Sequence, residues 1–367
     1  MVISILIACS TSQDTLGLEQ LVSASTAEDE GQPNTEEPDF DPGVDHGDEI
    51  DGEPPTTDPP EEREWGTDAC AEDVAASIGE RTYGGLQAAL DAFGPADEAV
   101  WVCPGVHNGP FFKTANYEVV LLGAGDGVTD TVLTTDSGSV LTVFTWRGGE
   151  QGEPGRFYGR DFVVMGGSAD QGGGIYATAQ EVHLENVIVR DGTATIGGGV
   201  FVDGQADAVV LEGVEFFDNA AVNGGGFFIG GGDGVNHLSL TDVAFFDNTA
   251  TDAGGAMYIG DGDVDANLVG VYARGNSAQI GAAYRVGTRS DAEFGHFGMV
   301  GGGVHANSAE SGALDAVGTV VVLVEDVDFG EGADDNTGFD VGGCNGDYGA
   351  GSSFVYWPEG GIYCEQD

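Results

Sequence analysis

Between residues 157 and 332 apolar and polar positions recur in one short phrase. It runs leucine, then valine three residues on, phenylalanine or valine two further, and asparagine after three more. Leu211, Val214, Phe216 and Asn219 spell it in full, as do Leu240, Val243, Phe245 and Asn248; Leu268, Val271, Ala273 and Asn276 put alanine in the aromatic place. Weaker copies are Leu184, Val187, Val189 and Gly192, and Met299, Gly302, Val304 and Asn307. The ends degenerate to Phe162, Val164 and Gly167, and to Val324, Val327, Phe329 and Gly332. The last column thus stands at 167, 192, 219, 248, 276, 307 and 332, in steps of 25 to 31 residues. Shortly after most of these positions comes a glycine corner: GGGIY at 172, GGGVF at 197, GGGFF at 224, GGAMY at 254 and GAAYR at 281.

A period of this length, made of short strands with no helix inside it, predicts a β-solenoid. Leucine-rich repeats share the length, but their convex segments must suit a helix, which Gly-Gly corners and β-branched runs do not. Val214 and Phe216 stand two apart and so face one way on a strand; stacked coil on coil, they predict a continuous apolar core. Asn219, Asn248, Asn276 and Asn307 then stack directly, their amides bonding along the axis at a corner where asparagine tolerates the left-handed conformation as glycine does. Asp191, Asp218 and Asp247, one residue earlier, read as corner-formers. Upstream, Leu86, Leu90 and Phe93 in RTYGGLQAALDAF have helical spacing and predict a short N-terminal capping helix.

That helix leads into AVWVCPGVHNGPF and then EVVLLGAGDGVTDTVL, an entrance that resembles the pectate-lyase-like β-helix superfamily. Phe216 to Asn219 and Phe245 to Asn248, with GGAM at 254, resemble the repeat of polymorphic outer membrane proteins; Gly198 to Val200 and Gly281 to Ala283 match it more loosely. The resemblance covers about 157–332. It implies an all-β, right-handed parallel β-helix of about ten coils over residues 67–367, displayed at a cell surface and often adhesive.

Composition sharpens this picture. Glycine makes up 64 of 367 residues, without the Gly-X-Y period of collagen, which suits many tight corners. The formal charge of −53 repels nucleic acid and anionic lipid, so backbone-neutralising nucleic-acid binding is excluded. Residues 10–66 hold 18 acidic residues and one arginine among prolines, with too few apolar residues to fold, and read as an extended tether. At the start (1–9), Leu6, Ile7, Ala8 and Cys9 resemble the lipobox of bacterial lipoproteins. That likeness implies cleavage before Cys9, lipidation of its thiol and, with Ser10 next, sorting to the outer membrane. A membrane contact through that anchor and a monomeric chain are the expectation. Cys70, Cys103, Cys344 and Cys364 then remain, an even number at the two ends of an exported domain. Of three possible pairings, the local ones, Cys70 with Cys103 and Cys344 with Cys364, would each staple one end.

Three constellations could carry chemistry. Arg190, Phe217, Phe246, Arg274 and His305 stand two residues before the asparagine column and point outward by alternation, as a cation and ring ladder for an acidic sugar chain would. Asp261, Asp263 and Asp265 alternate in GDGDVDAN as oxygen ligands of a structural Ca²⁺ would, though no carboxylate closes the loop as in an EF-hand. Polysaccharide lyase or hydrolase chemistry would need a clustered cation and carboxylate set. The one lysine, Lys113, lies far in the chain from the aspartate column, and the histidines show no metal spacing. Non-enzymatic binding of a glycan or surface protein, with no cofactor required, is the leading expectation. A lyase or hydrolase and a purely structural envelope role are its alternatives.

Overall fold

A computed structural model describes residues 70–367 apart from 126, 147–154, 231–234, 261–262, 288–294, 311, 318–319, 330–334, 337–351, 358–360 and 366–367. The lipobox with Cys9, the acidic tether, Asp261 and Cys344 lie outside the described residues. Parallel coils stack into a β-solenoid of about seven turns with one α-helix. The sequence reading of about ten coils was too high, because both ends are spent on other structure. At the N-terminal end Ala76–Ile78 pairs antiparallel with Arg81–Tyr83 and with Val100–Val102. At the other, Val320–Val327 pairs antiparallel with Ser352–Trp357, which turns back on Gly361–Glu365. Antiparallel closure keeps the first and last parallel coils from presenting a bare pairing edge.

Three parallel ladders run coil to coil. The largest carries the repeat phrase itself: Leu184, Leu211, Leu240, Leu268 and Met299 are partners in register, as are Val189, Phe216, Phe245, Ala273 and Val304. All ten are buried. Phe216 and Phe245 stack with centroids 4.8 Å apart and planes 7° from parallel, the spacing of adjacent strands. An eight-stranded ladder follows the glycine corners, from Phe111–Ala115 to Leu314–Val317, and a four-stranded one lies between. At the Gly224–Gly225 corner the first glycine sits at φ +64°. A Cβ on the second would meet the carbonyl oxygen of Gly255 on the next coil at 2.3 Å, so only glycine fits both places.

The asparagine column is a continuous hydrogen-bonded ladder. Each side-chain oxygen of Asn248, Asn276 and Asn307 accepts from both the backbone N–H and the Nδ2 of the asparagine one coil earlier, at 2.9 to 3.1 Å. Gly192 N donates to Asn219 Oδ1 and so ends the ladder on that side. Two details differ from the sequence reading. The left-handed position is one residue earlier, at Asp191, Asp218, Asp247, Gly275 and Ala306, which frees the asparagine side chain to turn inward. And the far end is Asn336, not Gly332: Asn336 Oδ1 accepts from Asn307 N and Nδ2 at 2.9 and 3.0 Å.

The expected helix is α1 (Leu86–Ala92), which buries Leu86, Ala89 and Leu90 over the first coils. Lys113 is buried beneath it, its Nζ donating to the carbonyls of Leu90 and Phe93 at 2.5 and 2.6 Å. A cation there neutralises the negative end of the helix. Cys70 and Cys103 form the expected N-terminal disulfide. Cys364 lies on the strand Gly361–Glu365, and its pairing with Cys344 falls outside the described residues.

Candidate functional site

The strand Glu181–Arg190 alternates strictly over its first half: Val182 and Leu184 enter the core while His183 and Glu185 face outward. Register places Tyr158 beside His183, and Arg160 beside Glu185, on the preceding coil. Glu212 is beside Glu185 on the following one. Five chemistry-bearing side chains thereby meet on the outer face of the large sheet.

The Tyr158 ring meets the His183 imidazole edge-on, centroids 4.9 Å apart at 87°. Its hydroxyl donates a short hydrogen bond to Glu185 Oε2. His183 Nε2 lies 3.6 Å from Glu212 Oε2, and one donor atom from each of His183, Glu185 and Glu212 falls within 4.8 Å of the others. Burial, then the bond to Glu185 and its charge, push the Tyr158 phenol well above its ordinary pKa, so it remains a donor across the physiological range. Desolvation opposes the charge on Arg160, but Tyr158, Asp161 and Glu185 outweigh it and raise its pKa. Arg160 Nε pairs with Asp161 Oδ2 at 3.0 Å. The arrangement offers one imidazole nitrogen and two carboxylates, with a tyrosine holding one carboxylate still.

The predicted outward column is in register: Arg190, Phe217, Phe246, Arg274 and His305 are partners on successive coils. Phe217 and Phe246 are partly buried and stacked at 5.1 Å. Arg190 Nε, however, pairs with Asp191 Oδ2 at 2.8 Å, and His305 Nε2 lies 3.4 Å from Asp328 Oδ2. Arg190 and His305 are thus turned toward local carboxylates. Of the residues expected to hold Ca²⁺, Asp261 lies outside the described residues, and Asp263 and Asp265 stand on the strand Asp263–Val269, paired in register with Val235–Thr241. Asp265 faces His237, Oδ2 to Nδ1 3.4 Å.

A second outward feature was not anticipated. Phe112, Phe144, Tyr176, Phe201, Phe228 and Tyr258 form an unbroken ring ladder on the outer face of the eight-stranded sheet, with successive centroids 4.8 to 5.6 Å apart. In register with Tyr258, Arg285 takes over the column, ion-paired to Asp315 one coil further. The signal was in the glycine corners: the fifth letters of GGGIY, GGGVF, GGGFF, GGAMY and GAAYR are Tyr176, Phe201, Phe228, Tyr258 and Arg285. Of the His183 cluster the sequence carries only a faint trace, Glu212 following Glu185 by 27 residues, one coil. No family model, curated protein or solved structure matches the chain, so both sites stand on this chain's own residues.

Proposed function

We propose that this β-solenoid is a non-enzymatic binding surface for an uncharged glycan, displayed outside the cell on a lipid anchor and an acidic tether. The observation that carries it is the ladder of six rings from Phe112 to Tyr258, most of them partly exposed, with one ring every 4.8 to 5.6 Å along the solenoid. Apolar faces of sugar rings stack on such a surface without needing charge. A chain of net charge −53 repels an acidic polymer and is indifferent to a neutral one. The preferred ligand is therefore a neutral polysaccharide rather than an acidic one, and its surface is the ring ladder rather than the arginine-containing column. The likeness of the Phe-x-x-Asn and Gly-Gly-Ala repeat to polymorphic outer membrane proteins supports display at a surface.

The test is affinity electrophoresis of the full chain in gels containing xylan, hydroxyethylcellulose or polygalacturonate. Retardation is expected with a neutral polymer. Tyr176→Ala and Phe228→Ala should each weaken it about fivefold, since one stacked ring is worth about 1 kcal/mol. Equal mobility of both variants and the parent in every gel would sink the proposal. Release of reducing ends or unsaturated products would replace it with the lyase or hydrolase reading.

A further inference from the structure

We infer that His183, Glu185 and Glu212 form a binding site for one divalent transition-metal ion of the Zn²⁺ class. The first support is the donor set. One imidazole nitrogen with two carboxylates suits Zn²⁺ and its neighbours, whereas Ca²⁺ and Mg²⁺ prefer oxygen alone.

The second support is distance. At 3.6 Å, His183 Nε2 and Glu212 Oε2 are too far apart for a hydrogen bond. Two ligands at about 2.1 Å from a tetrahedral ion stand about 3.4 Å from each other. The observed gap therefore matches the edge of a coordination tetrahedron better than a direct contact, and the third donor lies within 4.8 Å of both.

The third support is the state of the donors without an ion. His183 Nε2 is shut off from solvent and has no hydrogen-bond partner among the described residues, an arrangement that costs stability unless something fills the bond. Glu185 and Glu212 are direct partners on adjacent coils, a pairing of like charges that destabilises a sheet. A divalent cation answers both faults at once.

The fourth support is the surround. Tyr158 is 7% exposed, fixes Glu185 through its hydroxyl and braces the His183 ring edge-on, as supporting groups around a bound metal do. Three protein ligands leave a coordination position on the solvent side, where the Glu212 side chain is 50% exposed, open to water or a ligand oxygen. The site does not depend on the ring ladder, which lies on the other sheet.

The experiment is a Co²⁺ titration of the full chain in excess Mg²⁺, which saturates the weak surface carboxylates, followed by visible absorption and displacement with Zn²⁺. One equivalent should bind with d–d bands and no sulfur-to-cobalt charge transfer. His183→Gln and Glu212→Gln should abolish it. Tyr158→Phe should weaken it 10- to 100-fold. His237→Gln, which alters the exposed His237 and Asp265 pair, should leave it unchanged. Glu212 is half exposed, so its variant tests the site without threatening the fold. Full stoichiometry in Glu212→Gln, or a thiolate charge-transfer band, would overturn the assignment.

Discussion

The side-chain oxygen of Asn248 accepts two hydrogen bonds from Asn219, one from its backbone nitrogen at 3.1 Å and one from Nδ2 at 3.0 Å. Asn248 Nδ2 in turn donates to Phe216 O and to Asn276 Oδ1. Both residues are fully buried, so no water can stand in for any of these partners. Asn248→Ala leaves the Asn219 N–H without its acceptor, removes one donor from the Phe216 carbonyl and opens a small cavity. A loss of about 2–4 kcal/mol is expected in urea unfolding followed by circular dichroism. A loss under about 0.5 kcal/mol would mean that the ladder is ornamental.

Phe245 and Phe246 are neighbours in sequence on opposite sides of one strand. Phe245 is fully buried and stacks on Phe216 at 4.8 Å; Phe246 is partly exposed and stacks on Phe217 at 5.1 Å. Truncating Phe245 to alanine should cost about 3–5 kcal/mol. The same change at Phe246 should cost about 1 kcal/mol, mostly the stacking contact. Denaturation midpoints of the two variants measured side by side check this, and similar losses would contradict the register.

Tyr284 fills a core position of the glycine-corner ladder, and its hydroxyl has no hydrogen-bond partner among the described residues. Burial alone drives its phenol pKa far upward, the mark of a polar group in an apolar setting. Tyr284→Phe removes the unsatisfied oxygen while keeping the ring that meets Phe245 and Phe297. Stability should rise by about 1 kcal/mol, seen as a higher Tm in calorimetry. A fall of that size would show that the hydroxyl has a partner after all.

What could be read from sequence followed from how strictly a feature obeys the period. The asparagine ladder and the Leu184 to Met299 column repeat with the same or a closely similar residue at steps of 27 to 31, so their stacking was visible before any coordinates. Asn336 escaped because seven residues separate it from Phe329, where three separate Asn219 from Phe216. The ring ladder escaped because tyrosine, phenylalanine and arginine alternate at the fifth corner position, and the column is outward. The His183 cluster escaped for a different reason: its members are two residues apart on one strand and one coil apart across strands, a relation that metal-spacing patterns do not cover.

Acid should erase one specific contribution at the N-terminal end. Asp97 Oδ2 accepts from the backbone N–H of Gly94 at 2.9 Å, and Oδ1 accepts a short bond from Arg81 Nη2. The Gly94 bond first, then Arg81 by hydrogen bond and charge, outweigh desolvation and lower the Asp97 pKa below its ordinary 3.8. A carboxylate whose pKa is lower in the folded chain binds protons more readily when unfolded. Its stabilising effect is therefore complete above the ordinary value and fades as pH falls through the lower folded value. Asp97→Asn should then be less stable than the parent at pH 7, with the gap narrowing as pH falls below the ordinary carboxylate value and closing once it is below the lowered folded one. Because Arg81 is exposed, 0.5 M NaCl should shrink the gap at pH 7 only in part, leaving the share due to the Gly94 N–H. Urea unfolding of both chains from pH 7 to pH 2 reads this directly. A gap that stays constant with pH would assign the loss to altered packing around the turn and not to the charge.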